Sequence, residues 1–147
     1  MILVDAPIWS LALRRRPHDL NAGEERHVRE WERLVRAGGA HVIGPIRQEI
    51  LSGVRDEQAW ERLRTALRPF PDLPTTTDDY ERAAQFFNRC RAKGIVGSAI
   101  DLLICAVSAG YGAPIYTTDA DFRRYAAVLR LKLHAPRTKT KDSECPL

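Results

Sequence analysis

Short continuous apolar runs alternate along this chain with longer stretches in which apolar residues recur every three or four positions. Ile2-Leu3-Val4 lacks the apolar-polar alternation of a half-exposed strand and reads as a strand covered on both faces, as in a parallel sheet, while His41-Val42-Ile43 and the run from Ala113 to Thr117 read as further short strands. The stretches between them predict helices. Pro7 suits a first helical turn, where its missing N–H costs nothing, and Ile8, Trp9, Leu11 and Leu13 continue at helical spacing. From Asn21, a capping residue and an acidic first turn lead into a helix that closes on basic residues and the pair Gly38-Gly39. Gly44-Pro45 opens another, which carries Glu49 about one turn inside and ends near Gly53.

Residues 55–68 are helical by the spacing of Trp60, Leu63 and Leu67, and the proline-rich PFPDLP breaks that pattern before a short strand expected near 72–75. Thr77, with Asp78 and Asp79, is expected to cap a helix reaching about Lys93. After the loop KGIVG, Ser98 and Asp101 stand at capping-box spacing, with Asp in place of the usual Glu or Gln, and start a helix to Gly110. DADFRRYA reads as a short helix, and LRLKLH at 129–134 alternates as an edge strand would. Strands separated by helices imply right-handed crossovers, so the expected fold is a three-layer α/β/α domain around a short central parallel sheet. The domain is placed at 1–134; residues 135–147, APRTKTKDSECPL, lack apolar periodicity and read as a mobile tail.

A hydrophobic content of 44% in 147 residues suits one core, and no repeat or second domain is evident. The formal charge of +4 leans toward an anionic partner without deciding it, because ordinary soluble domains carry a similar excess. Cys90, Cys105 and Cys145 form no CxxC pair and have no His cluster nearby, which argues against a disulfide framework or a zinc site and for a reducing compartment. No segment approaches the ~18 apolar residues of a membrane span, nor does the start resemble a secretory signal. The expectation is a cytoplasmic protein without a membrane partner.

Acidic residues stand where strands pass into helices: Asp5 after the first strand, Glu49 and Asp101 within early helical turns, and Asp119 after the Ala113–Thr117 strand. In open parallel sheets the functional crevice lies beyond the carboxyl ends of the strands, so all four can converge on one edge. Carboxylates gathered there repel one another, and a divalent cation removes the conflict. Oxygen donors without His or Cys suit Mg²⁺ or Mn²⁺. A metal-activated water then attacks a phosphodiester without any protein nucleophile. In that scheme Asp5 and Asp101 are direct metal ligands, Asp119 a direct or water-mediated one, and Glu49 orients or deprotonates the water, with Asp121 in reserve.

Each acid also has a structural explanation, because carboxylates near helix starts complement the helix dipole. Asp101 also fits a capping box, Asp121 a first helical turn, and Glu49 a solvated helix residue paired with Arg47 or a neighbour. Arg14, Arg15 and Arg16 read either as phosphate contacts or as a solvated basic turn. Trp9, Trp31 and Trp60 sit at helical spacing with other apolar residues and read as packing. The four histidines show no metal-ligand spacing, and Ser10 and Ser52 lack the partners of a nucleophile.

The opening ILVDAPIW, the Glu49 helix, Asp101 to Ala106 as D-x-x-I-x-A, and Thr117 to Phe122 as T-x-D-x-D-F together resemble the PIN-domain ribonucleases, in particular the VapC-type toxins of toxin-antitoxin pairs. The resemblance spans nearly the whole chain. It implies a Mg²⁺- or Mn²⁺-dependent endoribonuclease with its acidic quartet at Asp5, Glu49, Asp101 and Asp119, acting on RNA as a homodimer restrained by a VapB-type antitoxin. One departure is local: the family commonly follows its first Asp with Thr or Ser, and here Ala6-Pro7 follow, so Thr117 or Thr118 is expected to supply the hydroxyl. Competing readings are a non-catalytic RNA- or protein-binding module, a housekeeping RNA-processing nuclease, and a phosphate-accepting receiver domain. The last needs an adjacent acidic pair after the first strand, where this chain has Asp5-Ala6.

Overall fold

The computed structural model describes residues 1–138. Its helices are α1 (Ala6–Leu13), α2 (Ala22–Arg36), α3 (Gly44–Leu51), α4 (Glu57–Leu67), α5 (Thr77–Ala92), α6 (Ala99–Tyr111) and α7 (Asp121–Leu129). Three short strands, β1 (Ile2–Val4), β2 (Ala40–His41) and β3 (Ile115–Tyr116), lie in the order β2-β1-β3, all parallel. Leu3 pairs with His41 on one side of β1 and with Ile115 on the other. Single parallel bridges extend both edges, Val42 to Asp72 and Ile115 to Leu133.

The strands expected near 72–75 and 129–134 are thus each reduced to one bridging residue. Pro71 and Pro74 flank the first, and proline has no N–H with which to continue a ladder. In the second, α7 claims the chain through Leu129 and Arg130 turns it with a left-handed φ of 57°, so the alternating run begins too late. The α5 cap also moves by one residue. Thr76, not Thr77, accepts the Asp79 amide at 3.4 Å, and Asp79 returns the bond to the Thr76 amide at 2.9 Å. The three-residue reach of the box selects the earlier threonine. The Asn21 cap of α2 is as expected, with Glu24 completing its box.

Successive strand residues face opposite sides, and Leu3 and Val4 are both fully buried, so helices must cover both faces of the sheet. α1 packs on α2 and α3, and α3 on α4; α5, α6 and α7 pack on one another as the other layer. In α6, Leu102 to Ser108 are buried without interruption. Trp9 donates its indole N–H to the Val4 carbonyl at 2.9 Å and meets Trp31 and Phe70 edge-on, which confirms a packing role. Cys90 and Cys105 are buried free thiols, while Cys145 lies outside the described residues, as does the tail beyond residue 138. Among the described residues no helix is long and apolar enough to cross a membrane.

The chain leaves β1 toward β2 on one side and later reaches β3 on the other. The crevice between the carboxyl ends of β1 and β3 is therefore the switch point at which open α/β sheets build their sites.

Candidate active site

β1 delivers Asp5 directly into this crevice. The residue caps α1, with its Oδ1 accepting the Ala6 amide at 2.8 Å, and only 4% of it is exposed. Its Oδ2 accepts the Thr117 hydroxyl, also at 2.8 Å. The hydroxyl missing after Asp5 is therefore supplied from the end of β3, by Thr117 rather than by the exposed Thr118. The same Thr117 oxygen accepts the Asp119 amide at 3.0 Å, so one side chain fixes both strand ends.

Asp101 sits in the first turn of α6. Ser98 accepts its amide at 3.0 Å, while its own Oδ2 accepts the Tyr125 hydroxyl from α7 at 3.2 Å. Capping and site placement are compatible here because the cap uses the backbone of Asp101 and leaves the carboxylate available. Glu49 is exposed on α3. The partner considered for it, Arg47, is engaged with Asp72 at 2.8 Å and with the carbonyls of Leu67 and Phe70.

Burial pushes the Asp5 carboxyl up to about 6; the Thr117 and Ala6 hydrogen bonds oppose this, and the charges of Glu49 and Asp101 add to it. Burial also raises Asp101, helped by Asp119 and opposed by hydrogen bonds from Tyr125 and Ser98. The four acids thus feel one another in sequence: Glu49 with Asp5, Asp5 with Asp101, Asp101 with Asp119. Among the described residues none of them forms an ion pair with a Lys, Arg or His. Nor, among those residues, do three or more His, Cys, Asp or Glu side chains stand close enough together to hold a metal ion between them, so at most one or two carboxylates are placed to ligate directly. An open, all-oxygen, negatively charged crevice still fits a hard divalent ion that keeps several of its waters. The one nearby sulfur is unsuited, since Cys105 is fully buried with its thiol pushed up by burial.

Residues 2–128 match the family model described as PIN domain. The chain belongs to the PIN-domain family. It is 31% identical over 134 residues to VapC ribonuclease Mb1587 of Mycobacterium bovis, a match covering 90% of this chain and 96% of that one. Among solved structures, FitAcB from Neisseria gonorrhoeae superposes with a TM-score of 0.71 at 20% identity, over 92% of this chain and 98% of that chain. A toxin-antitoxin complex from Klebsiella pneumoniae gives 0.61 at 18% identity, over 83% and 90% of the two chains.

In this PIN domain Asp121 stands in the first turn of α7. It is exposed, pairs with Arg124 at 2.6 Å, and gives its amide to Asp119 Oδ1 at 2.9 Å. Sequence reasoning missed Tyr125, which no spacing rule marks. A faint signal lay in Gly97, where a Cβ would meet Leu102 and come within 3.0 Å of the Tyr125 ring, so only glycine lets the tyrosine close over Asp101. It also missed Glu30, a buried acid of α2 held by Arg33 and His134.

Proposed function

We propose that this PIN domain is a Mg²⁺- or Mn²⁺-dependent endoribonuclease, the toxin of a VapBC-type pair, working in the cytoplasm as a homodimer. The observation that carries the reading is Asp5: a buried carboxyl raised to about 6, beside three further acids and without a basic partner among the described residues. A fold tolerates such a charge when a cation occupies the crevice in use. Asp5 and Asp101 would hold the ion directly and Asp119 through water.

Such an ion, when bound, would supply positive charge beside the phosphodiester and make a water easier to deprotonate. Glu49, exposed and not paired with Arg47, would orient the attacking water and accept its proton. Thr117 holds Asp5 through its hydroxyl and the Asp119 backbone through its oxygen, keeping the two strand ends in register. Tyr125 donates to Asp101 and fixes which oxygen of that carboxylate faces the crevice. Support for RNA as substrate comes from the likeness to a VapC ribonuclease, and support for an antitoxin from a toxin-antitoxin complex of the same fold.

Incubating the purified protein with RNA and Mg²⁺ or Mn²⁺ tests this reading. Cleavage is expected to stop with EDTA and in the Asp5→Ala, Asp101→Ala double variant; activity that persists in either case sinks the mechanism. Sedimentation equilibrium checks the dimer.

A further inference from the structure

A groove of about 470 Å³ opens at the rim of the acidic crevice and runs away from it along α1. Pro7, Ser10, Leu11 and Arg14 line it, spaced i, i+3, i+4 and i+7 and hence on one face of the helix. Pro7 is two residues from Asp5, and Thr118, on the same wall, adjoins Asp119. The far end is formed by Arg14 and Arg15, with Glu24 on the α2 wall beside Arg15 and hydrogen-bonded to the Asn21 amide at 3.1 Å. Seven residues at 1.5 Å rise make the path about 10 Å long, enough for roughly three nucleotides stacked at 3.4 Å.

The charge at that far end is available. Arg14 is exposed and makes no ion pair among the described residues, and Arg15 approaches Glu24 only at 3.9 Å, a weak, exposed contact. Arg16 and Arg62 continue the basic surface around an adjoining hollow. His27, on the α2 wall, adds no charge at pH 7, because burial and Arg26 hold its pKa below the ordinary 6.5. Its Nδ1 instead meets the Tyr116 hydroxyl at 2.9 Å. The crevice itself repels a polyanion, so a nucleic acid needs positive charge near enough to hold it and far enough to leave the acids free.

We propose that this groove carries single-stranded RNA on one side of the cleavage point, with Arg14 and Arg15 holding phosphates and the Ser10 and Thr118 hydroxyls donating to the backbone between. The inference rests on the ribonuclease reading and names the substrate track for that same site.

Fluorescence anisotropy with a short labelled single-stranded RNA, in EDTA so that nothing is cut, tests it. The Arg14→Ala, Arg15→Ala variant should bind about 10-fold more weakly, and the slope of log Kd against log salt should fall by about 1.4, at ~0.7 for each single-strand phosphate that the arginines no longer neutralise. A control with Arg36→Ala and Arg130→Gly removes the same charge from the remote ends of α2 and α7, and glycine suits the left-handed Arg130 backbone. Equal weakening in the control, an unchanged slope, or no RNA binding by the wild type overturns the proposal. Unchanged RNA binding together with abolished binding of a labelled polyglutamate peptide assigns the groove to an acidic protein segment instead. Cleavage with Mg²⁺ separates the two readings: RNA held through Arg14 and Arg15 but never cut sinks the ribonuclease and leaves the groove. RNA cut by the variant at unchanged KM does the reverse.

Discussion

Asp5 and Glu30 are hidden to the same degree, 4% exposed each, and yet their carboxyls are shifted in opposite directions. Glu30 receives Arg33 through two nitrogens at 3.0 and 2.6 Å and His134 Nε2 at 2.7 Å. Those bonds, Arg33 foremost, pull its carboxyl down to about 2 against the opposing effect of burial. Asp5 receives one hydroxyl and one amide, both neutral, and rises to about 6. Surface exposure alone therefore does not set the direction of the shift: burial is the largest cause at Asp5, and the Arg33 hydrogen bond is the largest at Glu30. A chain rich enough in arginine to neutralise Glu30 leaves Asp5 without one, which is the arrangement expected if a mobile cation occupies that place during function.

The largest effect separating the two is catalytic. Asp5→Asn and Asp101→Asn should each lower RNA cleavage at least ~100-fold, the scale of losing one preorganised electrostatic contribution. Asp5→Asn should leave stability at pH 8 unchanged or raised, as urea denaturation without metal would show. Retained cleavage, or a large loss of stability, would put Asp5 in the same class as Glu30.

Glu30→Gln should show the converse. Removing the carboxylate leaves Arg33, which solvent reaches, without its partner and costs about 1–3 kcal/mol, so the urea midpoint should fall while cleavage per folded molecule stays within a few-fold. The contribution of Glu30 spans α2 and the segment after β3, since Arg33 lies on α2 while His134 follows the bridge at Leu133. The Arg137 amide, 3.5 Å from Glu30 Oε2, ties down the start of the expected tail. An unchanged midpoint would break the comparison from this side.

The pH dependence of metal-free stability should carry both signs. Glu30, depressed to about 2 from 4.5, contributes stability that is complete above 4.5 and is lost as pH falls toward 2. Asp5, raised from 3.8 to about 6, binds its proton more tightly folded than unfolded, so its contribution is present below 3.8 and disappears as pH rises through 6. Its share is roughly 2–3 kcal/mol, at 1.36 kcal/mol per pH unit. Thermal melts in EDTA should therefore lose midpoint between pH 4 and 6, a loss that Asp5→Asn reduces and that Asp101, raised in the same direction, shares. Mg²⁺ should raise the midpoint more at pH 8 than at pH 5; equal gains at the two pH values would count against an ion at Asp5.

These contrasts also show what could be read before folding. Asp5 and Asp119 were legible because strand ends at a sheet's switch point are fixed by topology, and topology follows from the alternation of apolar runs and helical periodicity. Thr117 was legible as one of two candidates because the gap left by Ala6-Pro7 asked for a hydroxyl. Glu30 was not, since in ERHVREWER it looks like any solvated helix acid, and its partner His134 is 104 residues away. Tyr125 was hidden for the same reason: its partner, Asp101, lies on another helix. The edge strands were over-read because residue-level alternation cannot register that prolines or a preceding helix will deny them ladder partners.

The smallest expected effect falls on Thr117, and it discriminates most finely between the two carboxylates. Thr117→Val keeps the shape of the side chain but removes the only side-chain donor to Asp5 among the described residues, and it leaves the Asp119 amide without its acceptor. A net hydrogen bond to a charged group is worth about 1.5 kcal/mol, so the Asp5 carboxyl should rise by roughly one pH unit beyond its present value. Carboxyl-selective NMR titration of the metal-free protein would register that rise, with Thr118→Val as the control that should leave it unmoved. Weaker Mg²⁺ binding at pH 6 should accompany it, because the ion must then displace a more tightly held proton. Were Thr117→Val to leave the Asp5 titration where it is, the low dielectric around Asp5 alone would set its state, and the hydroxyl from β3 would be a packing contact rather than the support that takes the place of the residue after Asp5.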